Sequence, residues 1–290
     1  MPASQLDREE YIEQAYFFRV YRERLADGVP SQLILDSIHE EILATTKLPF
    51  AISFLTGEMV HTGKMGAGMA RLSHYFTPFQ AFVIDRAEDE VSRFEQLTAL
   101  LILEREAEYR SQSPTPAGLF IYQFECISRN RLGYDRGLSA IAADPFYDED
   151  WRDWILKTKR QLGDVEFADL IYWRSEFWLQ ERQRKIRQEE YQPPYPILFG
   201  VQEGRIAKAN RGKEPLHMFS ALQRQLNYPA VPKPAPSASG PIIHPALEAR
   251  LQKIEKHLHL LDGEAKGGID LSEFIVKPPH FGDEPAPPPD

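Results

Sequence analysis

The residues best placed to do chemistry in this sequence are two glutamate–histidine pairs at helical spacing, Glu58 with His61 and Glu214 with His217. A separation of three puts both side chains of a pair on one face of a helix, and two such pairs plus two further glutamates build a carboxylate-bridged di-iron centre in a helical bundle. The spacing is weakly specific, because 27 glutamates and 8 histidines among 290 residues produce on the order of one such pair by chance. Pro215 also sets Glu214 at the start of a helix, where an acid has a capping role. Glu58 and His61 are the metal-ligand candidates, weighed against ordinary surface or core roles.

His61 and His74 bracket residues 62–68, a short run with three glycines that predicts a flexible turn between helices. Lys64, Arg71 and Tyr75 are close in sequence, so an acid–base site would be sought here first. Histidine changes charge near neutral pH, and loops on a rigid frame often carry catalysis. The plainer expectation is histidines packed or hydrogen-bonded at helix ends. A phosphate-binding loop does not fit, since five residues rather than four separate Gly57 from Gly63-Lys64, and Met65 follows the lysine. Arg71 stands where a dinucleotide fingerprint needs its third glycine. Cys126, the single cysteine, lies among Leu119, Phe124 and Ile127 at helical spacing and reads as a small core residue. It excludes an internal disulfide and leaves a cysteine-based zinc site short of ligands. No cofactor is expected.

More unusual are the clusters of aromatics with arginine: Tyr16-Phe17-Phe18-Arg19, Trp151-Arg152-Asp153-Trp154 and Tyr172-Trp173-Arg174. Consecutive aromatics cannot all enter one helical groove, so some meet a second layer or lie at an interface, where Trp, Tyr and Arg are the energetic anchors. Tyr16, Phe17, Arg19, Trp151, Trp154, Trp173 and Arg174 are therefore interaction candidates. The basic run of Arg182, Arg184, Lys185 and Arg187 is nearly cancelled by Glu181, Glu189 and Glu190. With a net charge of -9 and a pI near 5.5, nucleic acid is an unsuitable partner.

The elements that must position these residues read as helices from residue 6 to about 191. The first covers 6–26, the second starts at Ser31 and the third ends near His61. Residues 69–76 suggest a short helix. Thr77-Pro78-Phe79-Gln80 is a capping box with proline at the first helical position. The apolar stripe that follows predicts one long helix to about Tyr109. Helices are then expected over 118–131, 135–143 and 148–162, over a segment capped by Asp164 and running to 190, and from Pro215 to about Leu226. The one β-like segment is a hairpin near 196–208, with Gly200 and Gly204 as its turn glycines. Residues 229–243 form a Pro/Ala/Ser linker, 244–276 carry an amphipathic helix and 277–290 a disordered, Pro-rich tail. Leu247, Leu251, Ile254 and Leu258 make a near-heptad stripe that needs a partner to bury it.

The expected fold is all-α: a bundle-like body of about nine or ten helices (1–228) with an appended hairpin and a detached C-terminal helix. The N-terminus has acids where a secretory leader carries bases, and the longest uncharged apolar stretch is ten residues. A bilayer span takes roughly 20 apolar residues, so no membrane association is expected and the cytoplasm is the default compartment. The function expected is a non-catalytic interaction or scaffold protein that binds a protein partner or itself, through aromatic–arginine surfaces and the tethered helix. The alternative is a helical enzyme or ligand- or metal-binding protein with its site between His61 and His74.

Overall fold

The computed structural model describes residues 6–89 and 94–233, and its regular structure there is entirely helical. Thirteen helices follow one another: α1 (Arg8–Ala26), α2 (Ser31–Glu41), α3 (Leu48–Thr62), α4 (Gly66–Arg71), α5 (Pro78–Ala87), α6 (Gln96–Ser111), α7 (Pro116–Asn130), α8 (Tyr134–Ala142), α9 (Glu149–Gln161), α10 (Phe167–Tyr172), α11 (Glu176–Ile186), α12 (Val201–Ala209) and α13 (Pro215–Leu226). Residues 234–290, with the stripe of Leu247, Leu251, Ile254 and Leu258, lie outside the described residues.

The core is built on two long helices. α1 buries Tyr11, Gln14, Phe17, Phe18 and Tyr21, which recur at three and four, and α6 lies along it in the most extensive helix pairing of the body. α7 buries every residue from Ala117 to Ile127 and so runs through the centre. The capping box forms as its residues dictate: Gln80 N donates to Thr77 Oγ1 at 3.2 Å and Thr77 N to Gln80 Oε1 at 3.1 Å. Thr115, Asp148 and Ser175 cap α7, α9 and α11 in the same sense. Such caps contribute about 1 kcal/mol each by satisfying amides that the first helical turn leaves unpaired.

Three expectations are overturned. The hairpin near 196–208 does not form; among the described residues the backbone makes only isolated bridges, Leu162 with Val165 and Ser175 with Phe199. Leu198 N and Phe199 N both donate to Arg174 O, tying this segment to the α10–α11 junction, and residues 201–209 are helix. Gly204 is a packing glycine: a Cβ there would meet Ser175 Oγ at 2.2 Å, so α12 sits on that junction only without a side chain. The long helix expected from Pro78 to Tyr109 is two, α5 ending at Ala87 and α6 beginning at Gln96. Glu88 has turned away to accept hydrogen bonds from Met65 N and Gly66 N at 2.5 and 2.9 Å, which suits a carboxylate at the start of α4. The segment from Asp164 to 190 is also two helices, because the Ser175 hydroxyl caps a new start at Glu176.

Candidate functional site

The structure spreads the expected chemical residues apart. Glu58, on α3, accepts a hydrogen bond from Arg71 Nη1 on α4 at 2.5 Å. His61, in the last turn of α3, is exposed, and so is His74 in the turn before α5. His74 lines a narrow cleft with Tyr11, Arg110 and Phe146, and His61 does not line it. Glu214 is the N-cap residue of α13 and His217 is exposed. Among the described residues no group of three or more His, Cys, Asp or Glu is arranged to hold a metal ion.

The segment between the histidines is a packed joint rather than a flexible turn. A Cβ on Gly66 would lie 2.8 Å from the backbone nitrogen of Asp85, and one on Gly68 would lie 3.0 Å from Leu55 Cδ2. α4 therefore rests directly on α3 and α5. Only Gly63, closing α3 at φ 69°, serves the turn itself.

The aromatic–arginine clusters divide between core and surface. Phe17, Trp151 and Trp154 are buried and cannot act as surface anchors. Trp151 and Trp154 pack edge-on to each other and to Phe199, while Phe120 meets Trp154 at 4.9 Å. Tyr16 is half-buried and donates to Glu41 Oε2 at 2.9 Å, with exposed Arg19 beside its ring at 5.6 Å. Trp173 is exposed, whereas Arg174 stacks on Tyr195 at 4.4 Å and donates to Pro196 O at 3.1 Å. Arg174 thus holds its own chain together.

Arg110 was not among the expected residues and is the one buried basic side chain among the described residues. It donates to Glu106 Oε1 from Nε and Nη2, at 3.2 and 3.0 Å, and to Asp144 Oδ2. Gln123 Nε2 also donates to Glu106 Oε1, and Tyr147 donates to Gln123 Oε1 at 2.9 Å. The guanidinium lies 5.9 Å from the ring centre of Tyr11 and 5.7 Å from that of Phe146. Burial works against its charge, but Asp144 and Glu106 outweigh burial and hold the group firmly protonated. A cleft of about 280 Å³ opens above it, lined by Leu6, Arg8, Tyr11 and Pro114 among others. With Nε and Nη2 engaged by two buried carboxylates that balance its charge, the guanidinium acts as a clamp between α6 and the turn before α9. Cys126 is equally inert: burial pushes its thiol well above the usual range and keeps it from nucleophilic work.

The surface feature that does stand out is the outer side of α3. Its inner side, Leu48, Ala51, Ile52, Leu55 and Met59, is buried at helical spacing. Its outer side is apolar as well, with Phe50 80% and Val60 61% exposed, Phe54 half-buried and Gly57 between them. Leu33 on α2 and Leu43 in the following turn are 59% and 57% exposed, on the helix that packs beside α3. The helix carries one acid, Glu58, and no Lys or Arg. The exposed Ser53 and His61 share this outer side with the apolar residues. No helix of the described residues is long and apolar enough to cross a membrane.

Compared with protein-family models, curated proteins and solved structures, the chain matches none of them.

Proposed function

We propose that this chain is a non-catalytic interaction protein of the cytoplasm that assembles with a second copy of itself through the outward face of α3. The observation that carries this reading is the exposure of Phe50 and Val60 on a helix whose inner side is already committed to the core. An apolar stripe of this kind on a folded surface marks a docking site.

Three features favour a second copy as the occupant. At a net charge of -9, two copies repel unless they meet through neutral surface, and Arg71, which lies over the Phe54 ring, is balanced by Glu58. A two-fold contact is self-complementary and places the same stripe on itself. Gly57 sits mid-stripe with nothing within 4 Å of where a Cβ would be. Glycine in a helix interior costs about 1 kcal/mol relative to alanine, and no neighbour among the described residues requires it there. A second helix crossing at Gly57 would require it.

The test is sedimentation over a concentration series with the full chain and its Phe50→Asp, Val60→Asp variant. The wild type is expected to dimerise reversibly. The variant is expected to dissociate at least roughly tenfold more readily, because aromatic anchors dominate interface energetics. A wild type that remains monomeric at every concentration, or a variant that dimerises equally well, sinks the reading.

A further inference from the structure

A second surface feature lies elsewhere in the body and is independent of α3. Phe124, Phe167 and Phe219 come together from α7, α10 and α13, and the rings of Phe124 and Phe167 are parallel with centres 3.8 Å apart. Phe219 lies 6.0 and 6.1 Å from those two rings. Tyr134, at the start of α8, stacks on Phe124 at 5.6 Å and donates to Ser128 Oγ at 3.1 Å, which fixes its ring at the rim. Both Tyr134 and Phe167 stack on Phe124, and Phe124, Phe167 and Phe219 are buried, so Tyr134 is the exposed ring of the group. The four rings line an open cleft of about 480 Å³ with Leu162 and Val165. That volume lies within the roughly 300–1,000 Å³ typical of small-molecule sites.

The charged groups of the lining are one cation, Lys159, and one acid, Asp135. Lys159 reaches the cleft from α9, and its ammonium meets Asp135 Oδ1 at 2.8 Å and donates to Ser139 Oγ at 2.9 Å. An ammonium has three donors, so one remains for a ligand. The Asp135 side chain is 82% exposed, and water screens its hold on the lysine. A ligand carboxylate in the cleft would share the ammonium with Asp135, which lines the same cleft. Gly163, at φ 102°, shapes the turn that forms the far rim.

We propose that this cleft binds a small amphipathic anion, a flat or extended apolar body carrying one carboxylate. The apolar body lies against Tyr134, Leu162 and Val165, apolar lining residues that are not fully buried, and the carboxylate pairs with Lys159. Binding involves no bond making or breaking.

The experiment is calorimetric titration of the full chain with 2-naphthoate and with its neutral isostere 2-naphthamide. 2-Naphthoate is expected to saturate one site per chain and to bind about tenfold more tightly than the amide, the difference one charge-assisted hydrogen bond makes. Lys159→Met is expected to bring the two ligands to equal affinity, and Tyr134→Ala to weaken both while keeping the preference for the carboxylate. Lys159 and Tyr134 lie at the surface of the cleft, so neither variant removes core packing. Absence of saturable 2-naphthoate binding, equal affinity for the two ligands in the wild type, or a preference that survives Lys159→Met overturns the proposal.

Discussion

Arg110 holds a full positive charge in the interior because two carboxylates and two ring faces surround it. Removing one partner from such a cluster is far more damaging than removing the whole, since it strands buried charge. Arg110→Leu leaves Glu106 and Asp144 facing each other without a counterion. It is expected to lower unfolding free energy by about 3–5 kcal/mol, read from urea denaturation. A loss below about 1 kcal/mol contradicts the clamp. The residue was illegible in the sequence for a physical reason. Glu106 and Arg110 are four apart, the commonest spacing of a solvated helical ion pair, and burial follows from Asp144, which arrives 34 positions later. The aromatic cleft was hidden in the same way, since Phe124, Phe167 and Phe219 belong to three separate helices.

At the scale of elements, starts and stops were more legible than contacts. The capping box at Thr77, the prolines at 78 and 215 and the acids opening α9 act locally, through amides within one turn, and the structure uses each of them. The β-like segment misled because Ile197, Leu198 and Phe199 have strand-like character and Gly200 and Gly204 resemble turn glycines. α12 buries only Glu203, Gly204 and Ala207, too small a set to show helical period. The glycines of the supposed loop misled similarly, being required by close helix contact rather than by a turn. Two glycines now separate the uses. Gly66→Ala pushes a methyl group into the backbone of α5 and is expected to destabilise by 1 kcal/mol or more, on the order of an overpacked core site. Gly57→Ala meets open space and is expected to raise thermal stability of the monomer by about 0.5–1 kcal/mol while weakening dimerisation. Thermal melts at low protein concentration, paired with sedimentation, check both. A Gly57→Ala chain that gains stability and still dimerises as before removes the argument from that glycine.

For the whole molecule, the buried hydroxyls set an alkaline limit. Burial pushes Tyr109 and Tyr172 up to about 12 and holds Tyr75, Tyr122, Tyr147 and Tyr228 well above the ordinary phenol range. An unfolded tyrosine ionises near 10, so the folded chain favours the neutral phenol. That preference is fully present below about pH 10 and is lost as pH rises beyond it, so stability is expected to be flat on the neutral side and to fall above about pH 10. Absorbance titration of the 12 tyrosines beside circular dichroism reads this directly. Ionisation of all of them near pH 10 with the fold intact contradicts the packing described.

The account rests most heavily on the outer face of α3 meeting its own copy, and thiol crosslinking tests that contact in place. Cys126 is fully buried, so Val60→Cys supplies the single accessible thiol, and Lys157→Cys on the exposed side of α9 supplies the control. A short bismaleimide is expected to convert the Val60→Cys chain to a covalent dimer and to leave the Lys157→Cys chain monomeric. Equal crosslinking of the two, or none at Val60→Cys under conditions where the chain sediments as a dimer, places the interface elsewhere and contradicts the account.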